Sequence, residues 1–321
     1  MSNQAYNVDT DPLSLFGLLS FDKPLGMTSR DVVNRVVWKL RELAPKPAPI
    51  PKVGHAGTLD PLASGVLLVG VGAGVRLVPY LHQQPKAYRA TFRFGQSSES
   101  GDLEKPLVDE IDPSRPTDEE LATAISELTG NITQIPPAHS AIKVGGRKAY
   151  KFAHKGQAVE VPSRVVRIDE IRVRRYEYPD IEVDIRCGTG TYIRTLGIDL
   201  AAKCGTTAVM TELVRTAIGE YSLADATPLE RLGDTPLDRL LKPLAGAVAH
   251  LPSLHPPDEM IDSMAHGIKI AIDDLPATRG SAGGESSDDE AAVIDTRGNL
   301  RVIAKRRDGN WNPYRVFPRQ T

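Results

Sequence analysis

The chain has 321 residues, with 39 Lys and Arg against 41 Asp and Glu and a formal net charge of −2 at pH 7. That length suffices for a full core and for two domains, one large and one small. Apolar (40%) and charged (25%) contents are ordinary for a soluble globular protein. No window approaches the roughly 20 apolar residues of a membrane span, and the N-terminus lacks a basic-then-apolar signal layout. Cys187 and Cys204 form no C-x-x-C pair and are too few for a disulfide framework, so reduced thiols and a cytoplasmic location are expected. The slight acidic excess argues weakly against nucleic acid, which leaves the distribution of charge to decide.

In chain order, residues 1–14 are polar and punctuated by Pro and Asp, a flexible leader. Leu15 to Phe21 reads as a strand delivering Asp22-Lys23-Pro24. Taken alone, Lys23-Pro24 is a surface turn. Thr28 with Asp31 fits a capping box opening a helix with apolar positions Val32, Val33, Val36, Val37 and Leu40. Gly54-His55-Ala56-Gly57-Thr58-Leu59-Asp60-Pro61 follows. Pro61 pushes Asp60 out of helical geometry, and Gly54 and Gly57 permit close approach of the backbone to a ligand. Residue types alone favour a plain turn with a capping Asp. Gly65 to Val71 reads as a buried strand. Gly70-Val71-Gly72-Ala73-Gly74 fails as a dinucleotide fingerprint, because Val75 stands where the third glycine is needed; a close turn is expected.

Ala87 to Phe94 has the period of a strand, in which Tyr88 would ordinarily be half-buried packing. Beside Lys86 and Arg89 its ring also suits stacking on a base. Residues 97–116 read as a solvated acidic loop, and Thr117 to Leu128 as an amphipathic helix with Asp118, Glu119 and Glu120 in its first turn. From Ile135 to Gly156 the composition turns basic, with Lys143, Arg147, Lys148, Lys151 and Lys155 around Tyr150 and Phe152. Such a run is a solvated face or a sequence-blind phosphate contact. Val159 to Tyr178 continues with Arg164, Arg167, Arg172, Arg174 and Arg175, a long strand with a basic exposed side, and Ile181 to Cys187 should pair with it. Gly188-Thr189-Gly190-Thr191 turns into a helix carrying Tyr192 and Arg194, and Thr206 to Ala217 reads as a core strand. A linker at 251–257, a flexible loop at about 279–290 and short strands from Ala291 to Phe317 complete the chain. Arg301, Lys305, Arg306 and Arg307 suit either an acceptor-stem contact or a solvated edge strand.

The stretch G-H-A-G-T-L-D-P-L-A-S-G-V-L resembles the catalytic motif of the TruB family of pseudouridine synthases, which act on uridine 55 of tRNA. Phe21-Asp22-Lys23-Pro24-Leu25-Gly26 resembles the family's K-P-x-G motif, Lys86-Ala87-Tyr88-Arg89 its K-x-Y-x motif, and Gly190-Thr191-Tyr192-Ile193-Arg194 its G-T-Y-I-R motif. They occur in the family's order over most of the first 215 residues.

The resemblance implies an α+β catalytic domain over residues 15–250. This has a mixed, largely antiparallel sheet, a central cleft and a thumb-like RNA-gripping segment at about 135–157. A small β-rich PUA-like domain over 251–321 follows. It implies that Asp60 is the nucleophile and Arg194 its ion-pair partner, since a buried carboxylate would otherwise be held protonated. Tyr88 would contact the base, with possible proton transfer. His55, Tyr192 and Leu213 would bind substrate, and Lys23 and Pro24 would brace the catalytic loop. Lys86, Lys143, Arg147, Lys148 and Lys151 would meet the RNA backbone. The target uridine would be flipped out of the T loop, at a cost of a few kcal/mol.

No cofactor and no metal are expected, because the isomerisation exchanges no atoms or electrons. The expected partner is the T arm of tRNA, bound by a monomer. Two other functions share the fold: a tRNA-folding chaperone, and the catalytic subunit of a guide-RNA particle. The latter would call for a fuller C-terminal domain and basic tails.

Overall fold

The computed structural model describes residues 15–45, 47–136, 162–275 and 289–319, with the backbone alone at 143–144 and 147–148. The expected leader and most of the expected 279–290 loop lie outside these residues. The chain divides into two compact units, residues 1–84 with 217–321, and residues 85–216. The expected boundary at 250 thus falls inside the first unit, although residues 254–316 also carry a hydrophobic cluster of their own.

The first unit begins with β1 (Gly17–Lys23) and α1 (Ser29–Leu43), then β2 (Val53–His55) and β3 (Ala63–Val71). Strands β1 and β3 pair antiparallel from Gly17↔Val71 to Lys23↔Gly65. Both are apolar on both faces because both faces are covered. Leu19, Phe21, Leu67 and Val69 meet Val32, Val33, Val36 and Leu40 of α1, while Leu18, Val66 and Leu68 face Leu77, Leu81, Leu244 and Phe317. Thr28 caps α1 through the expected box with Asp31. The glycine run after β3 opens a 3-10 turn at Gly72–Leu77, and only glycine fits at 74, where a Cβ would lie 2.0 Å from the Gly17 carbonyl oxygen.

The second unit is a sheet with two helices on one face. Its elements are β4 (Lys86–Phe94), α2 (Asp118–Glu127), β5 (Gly130–Gln134), β6 (Arg164–Glu177), β7 (Asp180–Cys187), α3 (Ile193–Lys203) and β8 (Ala208–Ile218). The strand order is β8-β4-β7-β6-β5, and the β4–β7, β7–β6 and β6–β5 pairings are antiparallel. One face packs Ala90, Phe92, Ile181, Val183 and Ile185 against Leu121 and Ala124 of α2 and Ile193, Leu196 and Leu200 of α3. At Gly197 the helix rests directly on the sheet, since a Cβ there would lie 2.1 Å from the Phe92 ring.

The opposite face corrects one expectation. The arginines of β6 do not form an unopposed basic surface, because β7 sets acids among them. Arg174 lies 2.9 Å from Asp184, Arg89 lies 3.3 Å from Asp184 and 3.4 Å from Glu182, and Arg93 lies 2.8 Å from Asp180. The period of two put both signs on the same side.

The rest of the first unit includes α4 (Asp258–Ala265) and the antiparallel meander β9 (Glu290–Ile294), β10 (Leu300–Arg307) and β11 (Asn310–Val316). The two expected turns join these strands. In the first, the Asp295 carboxylate accepts from the backbone of Arg297 and Asn299 at 3.0 and 2.8 Å. Two of the suggested acceptor-stem cations are committed elsewhere. Arg301 is 6% exposed, between Asp262 and Asp295, and Lys305 lies 2.9 Å from Glu290. Among the described residues no helix is long and apolar enough to cross a membrane.

Candidate active site

The loop carrying Asp60 is held at two points within the first unit. Ser29, buried at the start of α1, accepts a hydrogen bond from Leu59 N at 2.8 Å, and its own Oγ donates to Leu59 O at 3.1 Å. One hydroxyl thus satisfies both polar groups of a buried peptide residue. Gly26 N donates to Pro61 O at 2.7 Å, tying the loop to the turn that follows Lys23. Lys23 is wholly buried, and its Nζ donates to Pro24 O at 2.9 Å and Met27 O at 2.6 Å. An ammonium out of water needs such partners, and they curl the 24–27 segment around it. Leu59 and Ala63 are buried, yet Asp60 between them is exposed, not buried as the sequence argument supposed. Gly57 adopts a φ of 100°, which glycine tolerates. His55 is half-buried at the end of β2, opposite Val69 of β3.

Arg194 sits in the first turn of α3, in the second unit. Its Nη2 is 3.0 Å from Asp102 Oδ2, and its Nη1 donates to Ser100 O at 2.8 Å. Asp102 is a partner that sequence reasoning missed, in addition to the expected Asp60. The Asp102 side chain is only 3% exposed, and it also accepts from Ser100 Oγ at 2.6 Å and Glu104 N at 3.0 Å. The segment is pinned to β8, where Met210 N donates to Gly101 O at 3.0 Å. Gly101 has a φ of 72°, and a Cβ there would press within 3.1 Å of the Arg194 side chain. This part of the expected solvated loop is therefore a buried cradle for a guanidinium. An acid among polar residues carries no period to betray it.

Tyr192 caps α3. Buried Gln134 clamps its backbone, accepting from Tyr192 N at 3.0 Å and donating to Tyr192 O at 3.3 Å. The Arg164 guanidinium stacks 4.7 Å from the Tyr192 ring centroid and donates to Gly190 O. Tyr88 and Leu213 both pack on the edge of the α2–α3 core, so the second unit brings these two sequence-selected residues to one cluster.

Lys86 is 8% exposed at the start of β4 and is not a surface phosphate contact. Burial, and then the charge of Arg215, hold its ammonium down to about 8. Its register partner Cys187 is pushed by burial up to about 11, so that thiol stays protonated. Lys143, Arg147 and Lys148 lie on the short paired strands 143–144 and 147–148, but their side chains, with Lys151 entire, are outside the described residues.

Comparison with known proteins fits this arrangement. A crystal structure of a Cbf5-Nop10-Gar1 complex matches with a TM-score of 0.69 and 25% identity over 94% of this chain and 84% of that chain. The fold is that of the pseudouridine synthases, with a β-rich C-terminal part. Residues 45–193 match the family described as TruB family pseudouridylate synthase (N terminal domain). A tRNA pseudouridine synthase B of Rhodopirellula baltica is 42% identical over 268 residues, 80% of this chain and 76% of that protein. One of Gluconacetobacter diazotrophicus is 38% identical over 271 residues, 81% of this chain and 84% of that protein. The chain belongs to the TruB family of pseudouridylate synthases.

Proposed function

We propose that this protein is a tRNA pseudouridine synthase that isomerises uridine 55 of the T loop. The observation that carries this reading is the exposed Asp60 on a loop whose flanking Leu59 is buried and hydrogen-bonded to Ser29, and whose Pro61 carbonyl accepts from Gly26. The reaction breaks the N1–C1′ bond, rotates the uracil and joins C5 to C1′, and C5 loses a proton. It requires an anion that attacks or stabilises the sugar–base unit, as in glycosidic chemistry. Asp60 is that group. An exposed acid on a loop whose backbone is already hydrogen-bonded meets a substrate at little ordering cost.

The other roles follow by type. Arg194, locked by Asp102 and Ser100, is the fixed cation of the reaction. Tyr88 offers a stacking face to the flipped base and a hydroxyl for proton movement; Tyr192 and Leu213 bound the base, and His55 meets the RNA around the vacated stack. Lys143, Arg147, Lys148 and Lys151 supply salt-dependent phosphate contacts. A guide-RNA particle subunit is the weaker reading: relatives at 42% identity are named tRNA pseudouridine synthase B, whereas the Cbf5 complex stands at 25%.

The test is release of tritium from unmodified tRNA labelled at uracil C5, comparing wild type with Asp60→Asn, with the product mapped to its position. Release by wild type alone, at uridine 55, is expected. Equal release by both proteins refutes Asp60 as nucleophile, and tight tRNA binding without release leaves a folding chaperone.

A further inference from the structure

Two buried cations stand near Tyr88, one on its own strand and one on the next. Lys86 and Tyr88 are two residues apart on β4 and therefore point to the same side of it. Arg215 lies on β8, the neighbouring strand, and is 2% exposed. Its guanidinium hydrogen-bonds to the Tyr88 hydroxyl. Cys187 of β7 closes the far side of Lys86, 1% exposed.

The chemistry of the three groups settles who donates. Arginine keeps its charge in any protein and has five N–H donors and no acceptor. The Tyr88 oxygen must therefore accept from Arg215. A phenol that accepts from a fixed cation aims its own O–H away from that cation. Any negative charge that grows on the oxygen is met by a donor already in place. Lysine in place of Arg215 would keep a charge but lose the planar fork.

We propose that Arg215 is a positioning residue for Tyr88, holding the phenol oxygen as an acceptor so that its hydroxyl faces the substrate uracil and can exchange a proton there. The proposal rests on the pseudouridine synthase reading and adds to it the residue that holds the tyrosine. Lys86 stands in the same cluster, two residues before Tyr88 on β4 and within the field of Arg215. Substituting Arg215 also changes the field at Lys86, so its effect is compared with and without the Tyr88 hydroxyl.

This predicts non-additivity. Arg215→Lys and Arg215→Gln each lower kcat, by on the order of 10- to 100-fold, while the Kd for tRNA stays within twofold of wild type. Tyr88→Phe lowers kcat further. In the Tyr88→Phe background, adding Arg215→Lys changes kcat by less than twofold, because the hydroxyl it positions is gone. Losses that multiply in the double variant overturn the proposal, as does an undiminished kcat in both single variants.

A readout independent of turnover separates this proposal from the functional reading. With 13C placed at tyrosine Cζ, the Tyr88 resonance is assigned by its disappearance in Tyr88→Phe. At neutral pH, it moves in Arg215→Lys and in Arg215→Gln while the remaining tyrosine resonances stay in place. A Tyr88 resonance unmoved in Arg215→Lys overturns the inference even if the enzyme makes pseudouridine. A shifted resonance in a protein that releases no tritium upholds the contact and sinks the reading. Should Arg215→Gln fail to fold, Arg215→Lys, which keeps the buried charge, carries both measurements.

Discussion

Asp102→Asn removes one charge from the Arg194 cradle and almost no volume. Asparagine can still accept from Glu104 N and Ser100 Oγ, now at 3.0 and 2.6 Å, so those bonds persist. What is lost is the ion pair at 3.0 Å, between side chains 13% and 3% exposed. At that separation and an effective dielectric constant near 20, the gross attraction is about 5 kcal/mol. Removing one partner also leaves a guanidinium poorly compensated out of water, and the measured cost of such changes is about 3–5 kcal/mol. The backbone acceptor Ser100 O still serves Arg194, so the expected loss is at the lower end, about 3 kcal/mol. Urea unfolding followed by far-UV circular dichroism at pH 7 reads this from the midpoint at constant slope. Pseudouridine formation should fall with it, since Arg194 loses its fixed orientation. Asp102→Asn combined with Arg194→Leu should recover part of the stability but none of the activity. A change below 0.5 kcal/mol in the single variant, on the scale of ordinary surface substitutions, would refute the view that Asp102 neutralises a buried charge.

Three further outcomes are expected. Lys86 has a folded value of about 8 against an ordinary 10.5, so the folded chain resists its protonation. That penalty is full below pH 8 and is relieved as pH rises from 8 to about 10.5, where the unfolded chain holds the extra proton. Lys86→Met should therefore stabilise by on the order of 2–3 kcal/mol at pH 7, with a gain that shrinks by pH 9.5; a gain independent of pH would contradict this assignment. Ser29→Ala orphans both polar groups of Leu59, and should cost about 1–3 kcal/mol in urea unfolding and lower kcat with little effect on tRNA Kd. Normal stability and turnover would show that the loop does not depend on it. Lys148→Ala with Lys151→Ala should flatten the dependence of log Kd for tRNA on log salt by about one to two units, and an unaltered slope removes the 135–157 segment from the RNA interface.

Much of the local structure was legible in the sequence because it is written at short range. Thr28 and Asp31, and Thr117 with Glu120, announce helix starts through boxes whose partners lie three residues apart. The alternation in Ala87–Phe94 and Ile181–Cys187 marks strands with one wet and one dry face, and the turns near Arg297 and Asp308 follow from Asp and Asn side chains that satisfy nearby backbone and from Gly298 and Gly309 at positive φ. Asp60 and the motif tyrosines could be singled out because a constrained loop and a family resemblance both act on neighbouring residues.

What the tertiary structure alone decided concerns groups far apart in the chain. Asp102 meets Arg194 across 92 residues, and Ser29 meets Leu59 across 30. Lys86 and Arg215 come together only because β8 lies beside β4. The β6 arginines read as a basic exposed side until the register of β7 set Glu182 and Asp184 against Arg174. A charge in the sequence has a sign but no depth. Whether it is wet, paired or buried against a like charge depends on strand order and register, which arise from the packing of both sheet faces and from no stretch of residues by itself.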